Sequence, residues 1–211
     1  MNSTITVPGA GSVVVEPDIC SVRLGVNVIA STAGAARESA AQTMNAILDA
    51  VLAQGVARRD VRTALVSLNP TMDYSDNSGP RITGYQVQNS VSVTLRDLAK
   101  AGQLIDAALG AGASTLDSLD FRLEDPMQAT DQARVFAMAD ARARAETIAN
   151  AAGQPLGNVI SVTEGQFMSP PTPYPAARMS LKAEDASTPV ESGTQEISVA
   201  MTVTFALGQA G

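Results

Sequence analysis

An alanine-rich segment from Pro126 to Glu164 constrains the fold of this chain more than any other. Ten of the 24 residues from 129 to 152 are alanine, the residue that loses least on entering a helix. Asp125 is the predicted N-cap, and Gly153 and Pro155 end the helix. Three- and four-residue steps predict that one face of this long helix is buried against strands: Ala133, Phe136, Ala137, Ala141, Ala145, Ile148 and Ala152.

The rest of the chain alternates between strand and helix patterns. The clearest strand runs from Tyr85 to Leu95, with Asn89 as the one polar residue on an otherwise apolar face. Ser31 is the predicted N-cap of an earlier helix. The other predicted strands cover 5–7 with 13–15 (one short strand that bends at Gly9 and Gly11), 19–29, 61–68 (closed by Asn69-Pro70), 116–123, 159–163 and 197–207. The other predicted helices cover 33–54 and 98–109.

An internal repeat supports this order of elements. Asp49, Leu52, Gly55 and Asp60 recur at an offset of 57 as Asp106, Leu109, Gly112 and Asp117. We therefore predict an α/β fold: a two-layer sandwich of mainly antiparallel strands, with three amphipathic helices on one face and pseudo-repeated strand–helix–strand units. Residues 1–211 are expected to form a single domain, with a proline-rich loop at 166–193. The other, polar sheet face is expected to meet water or a partner.

Composition excludes several classes of function. The net charge of −7 disfavours nucleic-acid binding, which depends on clustered Lys and Arg. The absence of histidine excludes Ser-His-Asp and Cys-His catalysis and histidine-ligated zinc. Cys20 shares the parity of the apolar positions in its strand, which favours a buried small hydrophobe over a reactive thiol. No apolar run is long enough for a membrane-spanning helix, and no cofactor is indicated.

Together, these segments resemble the SIMPL-domain family, which includes bacterial periplasmic immunogenic proteins and small stress-related proteins. The resemblance covers nearly the whole chain and is carried by the order and spacing of Gly9-x-Gly11, Pro17-Asp18, Asp60, Thr63, Pro70, Gly84-Tyr85, Asn89, Gly112, Phe121, Ala139-Asp140-Ala141, Ala145, Gly153-x-x-Leu156-Gly157 and Ser192-Gly193. It implies an often exported protein without assigned enzymatic activity, of a kind that in some cases forms rings with a channel-like centre and has links to oxidative-stress tolerance. No catalytic residues come with it.

The resemblance also implies a periplasmic or secreted location. A strand-like segment begins within four residues of Met1, so we expect either that an export signal was removed before residue 1 or that the chain is cytoplasmic.

Few residues stand out as site candidates. Asn89 either ties down a neighbouring loop or lines a small-molecule pocket, and the structural tie is favoured. Tyr85, on the same strand face, is named with it as a structural or pocket residue. Asp18 favours a turn or cap role over acid–base chemistry, and Asp73 and Asp76 with Tyr74 favour a solvated loop over a calcium site.

The leading hypothesis is a non-catalytic protein that assembles into a homo-oligomer with a role in oxidative or envelope stress. The predicted contacts involve the 166–193 loop, with Met168, Tyr174 and Met179. A binding module for a small ligand or partner protein is the alternative, and a carboxylate-dependent hydrolase is the third.

Overall fold

The computed structural model describes residues 3–74, 79–165 and 188–208. In order, the elements are β1 (Thr4–Val15), β2 (Ile19–Ala30), α1 (Ala33–Ala53), β3 (Val61–Asp73), β4 (Arg81–Leu95), α2 (Ala101–Gly110), β5 (Thr115–Arg122), α3 (Met127–Ala151), β6 (Leu156–Gly165) and β7 (Gln195–Leu207). This content confirms the α/β class, with helices packed on antiparallel sheets. The strands form two sheets, and the chain divides into two compact units.

The first unit is a three-stranded sheet, β1-β7-β6, that carries α3. Its core combines alanines of α3 with apolar residues of β1 and β7, among them Val7, Val203 and Phe205. The long helix therefore packs on these three strands, which come from both ends of the chain. Gly153 has a φ of 68° after the helix, as predicted for a left-handed C-cap.

The buried face of α3 differs from the predicted stripe. Its buried residues recur strictly every four positions: Ala129, Ala133, Ala137, Ala141, Ala145 and Ala149. Ile148 is 50% exposed and Phe136 45% exposed, so the prediction that they are buried was wrong. Four residues exceed one helical turn by about 40°, so the stripe winds round α3 and leaves the bulky side chains beside it.

The second unit is a four-stranded sheet, β3-β4-β2-β5, with α1 and α2 on one face. The order β2-α1-β3-β4-α2-β5 is the split βαβ arrangement, in which the two central strands belong to different repeats. Gly55 and Gly112 follow the two helices with φ values of 87° and 103°, so the predicted repeat has equivalent turns. Thr32, one residue after the predicted Ser31, caps α1 by accepting from Ala35 N–H.

β1 is one continuous strand of 12 residues, longer than the short bent strand that was predicted. The predicted end of β3 was wrong. β3 continues through Asn69-Pro70 to Asp73. Proline is tolerated there because β3 is an edge strand, where the missing N–H breaks no ladder.

Candidate functional site

A groove of about 350 Å³ opens between α1 and β3 in the second unit. Met44, Leu48 and Leu52 line it from α1, and Val61 and Val66 from β3. Its floor is β4, where Asn89 and Val91 lie. We call this feature the α1–β3 groove. Its volume and apolar lining with a few polar groups are typical of a small-molecule site.

Asn89 lies on the helix side of the sheet, opposite Val66 of β3 and Val26 of β2. Within the described ranges, no hydrogen bond joins its side-chain amide to another residue. The predicted tie to a loop backbone is therefore not formed there. The amide is half-buried and lines the groove.

The other candidates lie elsewhere. Tyr85 is half-buried beside the core of the second unit, in register with Pro70 and Ala30, and does not line the groove. Asp18 is exposed just before β2, and its N–H donates to the carbonyl of Arg122 at 3.3 Å.

Four of the candidate residues lie outside the described part of the chain: Met168, Tyr174, Met179 and Asp76. Asp73 ends β3 opposite Arg81. No cluster of three potential metal ligands occurs in the part of the chain that the structure describes.

Sequence reasoning missed Arg58, at one end of the groove. It belongs to a short turn that precedes β3, in the run Arg58-Arg59-Asp60. Asp60 accepts from Arg96 at 2.7 Å, whereas the guanidinium of Arg58 forms no ion pair or hydrogen bond among the described residues. Two arginines beside a single nearby carboxylate were the signal available in the sequence.

In the first unit, the two sheet edges are protected differently. At the β1 edge, Ala10 N–H donates to Asp140 of α3 at 2.9 Å, and Arg144 donates to the same carboxylate at 2.9 Å. These two donors lower the pKa of Asp140, the Arg144 guanidinium being the larger cause. The carboxylate therefore holds α3 to an outward-facing N–H of an edge strand.

The β6 edge carries exposed apolar residues. Among the described strands, β6 pairs only with β7, and Val159, Ile160 and Val162 are 40%, 56% and 49% exposed. Arg134 of α3 donates to Glu164 near the end of β6 and to Asp131, which raises the pKa of the Arg134 guanidinium. β6 ends directly before the 166–193 segment.

The face predicted to be polar carries cross-strand hydrogen bonds. Gln86 donates to Asn27 at 2.9 Å, and the hydroxyls of Thr6 and Thr204 lie 2.9 Å apart. Ser90 and Ser92 are buried, although they point away from the helices of their unit. The polar residues therefore partly satisfy one another.

Two further contacts bear on chemistry. Cys20 is fully buried, and burial followed by the charge of Asp120 raises the pKa of its thiol to about 11. Thr188 donates through its N–H and hydroxyl to Asp106 of α2, which lowers the pKa of Asp106. The thiol is thus a core group, and the Asp106 contact anchors residues around 188 to the second unit.

Comparison of the sequence with known proteins identifies a family and several relatives. A family model described as SIMPL, protein of unknown function (DUF541), matches residues 5–205. The 26 kDa periplasmic immunogenic protein of Brucella melitensis biotype 1 is 33% identical over 210 residues, covering 95% of this chain and 83% of that protein. The uncharacterised protein YggE of Escherichia coli K12 is 32% identical over 182 residues, covering 86% and 72%. No helix within the described residues is both long and apolar enough to cross a membrane.

Proposed function

Since this chain belongs to the SIMPL family, we propose that it is a non-catalytic, extracytoplasmic protein that works by assembling with further copies of itself through the open edge of β6. The observation that carries the proposal is this edge, with Val159, Ile160 and Val162 exposed. An unprotected strand edge with apolar side chains pairs readily with another strand. The β1 edge is instead held by Asp140.

The location rests on the relatives. The Brucella protein is named periplasmic, and the shared family supports the same compartment here. Fractionation of a bacterium that expresses the native gene tests this: recovery with cytoplasmic markers would contradict it.

Assembly is tested with two matched substitutions. Ile160→Lys places a charge on the β6 edge, whereas Ile148→Lys places one on α3 at similar exposure, 50% against 56%. We expect size-exclusion chromatography with light scattering to give a multiple of 21.7 kDa for the unmodified protein and for Ile148→Lys. Ile160→Lys should approach the monomer mass. A monomeric unmodified protein at tens of micromolar, or equal masses for both variants, would contradict the proposal.

We further propose that the adjoining segment, with Met168, Tyr174 and Met179, extends the contact. Thr188 is bound to Asp106 and Val190 packs against the core of the second unit, so a deletion that spares them is confined to 168–186. It should lower the oligomeric mass while circular dichroism stays unchanged. An unaltered mass would restrict the contact to β6.

A role in oxidative or envelope stress is part of the proposal. The family resemblance supports it, as does the oxidation chemistry of methionine in the 166–193 segment. Deleting the gene should increase the sensitivity of the host to peroxide, and an allele carrying Ile160→Lys should fail to restore resistance if assembly is required. Restoration by that allele would separate the stress role from assembly.

A second candidate function, binding of a small ligand or partner, is supported by the α1–β3 groove, with its apolar lining and the uncommitted amide of Asn89. The groove belongs to the second unit and β6 to the first, so the two functions use different residues.

A further inference from the structure

The α1–β3 groove is lined mainly by apolar side chains. Leu48 and Leu52 of α1 line one side and Val61 and Val66 of the edge strand β3 the other. Val66 is 67% exposed, although its register partner Asn89 faces the helices. Among the described residues, the helix side of β3 is thus left uncovered over this stretch, so that the groove opens to solvent.

Polar groups stand at separate positions of this groove. Arg58 lies just before the first residue of β3, and Asn89 lies opposite Val66, five residues along that strand. At the rise of a β-strand, Val61 and Val66 are about 15 Å apart. A cation therefore lies at one end of the groove and an amide on its floor farther along, and the rest of the lining is apolar except for Asn45 and Thr63.

The cation at the end is uncommitted. Within residues 3–74, 79–165 and 188–208, Arg58 has no acidic partner. The nearest carboxylate in sequence, Asp60, is bound to Arg96. None of the described residues that line the groove is acidic. A guanidinium pairs well with a carboxylate because its N–H groups match the two oxygens.

From this geometry we infer that the α1–β3 groove binds a small amphiphilic anion, an unbranched alkyl chain with a terminal carboxylate, with the carboxylate on Arg58 and the chain along Leu48, Leu52 and Val66. The inference rests on the second function proposed above and is independent of assembly through β6. Burial of the alkyl chain supplies the affinity, and Arg58 selects the charge.

The experiment compares two ligands on three proteins. Sodium decanoate and 1-decanol share a chain and differ in charge, and binding of each is measured by isothermal titration calorimetry below its aggregation concentration. The variants are Arg58→Gln and the matched Arg59→Gln, which does not line the groove. We expect the unmodified protein and Arg59→Gln to prefer decanoate by about tenfold or more, as loss of one charged hydrogen bond implies. Arg58→Gln should bind both ligands equally.

A third variant tests the position of the chain. Ala41 lines the groove from α1, and Ala41→Phe should fill it and abolish binding of both ligands while circular dichroism stays native. Binding that survives Ala41→Phe would place the ligand elsewhere and overturn the inference.

The outcomes separate the inference from the function on which it rests. Equal affinity of the unmodified protein for decanoate and decanol would overturn the inference that the ligand is an anion. The proposal that the groove binds a small ligand would still stand. No binding of either would overturn both. If Ala41→Phe lowers the oligomeric mass while neither ligand binds, the groove holds a second copy of the chain, and the inference is wrong.

Discussion

At the scale of single residues, the packing of α3 depends on two glycines of β1. A Cβ at Gly9 would meet the carbonyl of Ala137 and the Cβ of Ala141, and one at Gly11 would meet Ala133 and Phe136. The helix backbone therefore approaches the strand so closely that only methyl groups fit opposite it. This explains why the buried stripe is all alanine.

Gly9→Ala is accordingly expected to destabilise the protein. Overpacking a tight contact costs about 1–3 kcal/mol, to be measured as a lower midpoint of denaturant unfolding. Gly34→Ala is the control: it lies in α1 with no atom within 4 Å of the new Cβ, and it should leave the midpoint unchanged or raise it. Equal midpoints for the two variants would contradict the close approach.

Asp140 predicts a pH-dependent contribution. Its pKa is lowered in the folded state by Arg144 and Ala10 N–H, so its carboxylate stabilises the fold above the unfolded pKa of about 4. This contribution is lost as the pH falls through the lower folded pKa. The difference in denaturant midpoint between the unmodified protein and Asp140→Asn should thus be constant from about pH 7 to 5 and should shrink towards zero at lower pH. A midpoint difference that stays the same at low pH would contradict this contribution.

At the scale of elements, local signals predicted most of the fold. Alternation located β4 and β7, and glycines located the ends of α1 and α3, because these signals depend on only a few neighbouring residues. The predictions failed where the environment of a residue is set by an element that is distant in the sequence. Pro70 is accommodated because β3 is the edge strand among the strands that the structure describes, and Ile148 is displaced because Gly9 and Gly11 lie under α3.

The same reasoning applies to the candidate site. Asn89 could be recognised because it interrupts an apolar strand face. The groove could not, because it exists only where α1 fails to cover β3, and that depends on how the helix crosses the sheet. Arg58 is a candidate binding residue only because it lies at the end of the stretch of β3 that α1 does not cover.

Ile148→Ala tests the strict alanine stripe of α3. Because Ile148 is half exposed, we expect a change of no more than about 0.5 kcal/mol in the free energy of unfolding, as for other surface substitutions. Ala145→Leu, at a fully buried position of the stripe, should destabilise by about 1–3 kcal/mol. If Ile148→Ala destabilises the protein more than Ala145→Leu does, Ile148 lies on the buried face after all.

At the scale of the whole molecule, we propose that the two units unfold together as a single domain. The chain passes from one unit to the other four times: between Pro17 and Asp18, between Arg122 and Leu123, between residues 165 and 188, and between Ser192 and Gly193. The first unit is thus closed only when both ends of the chain have been brought to one sheet, with the second unit formed between them in sequence. When β1 separates from β7, the first sheet no longer holds the junctions Pro17–Asp18 and Ser192–Gly193, through which the chain enters and leaves the second unit.

Cys20 provides a reporter for this coupling. It is fully buried in the second unit with the pKa of its thiol raised to about 11, so it should react with a thiol reagent only after unfolding. Gly9→Ala acts in the first unit, and we expect it to shift the denaturant midpoint of Cys20 labelling as far as it shifts the loss of helical circular dichroism. Coincident transitions are the mark of one cooperative domain. If labelling of Cys20 keeps its original midpoint in Gly9→Ala, the units unfold separately, and each is a domain of its own.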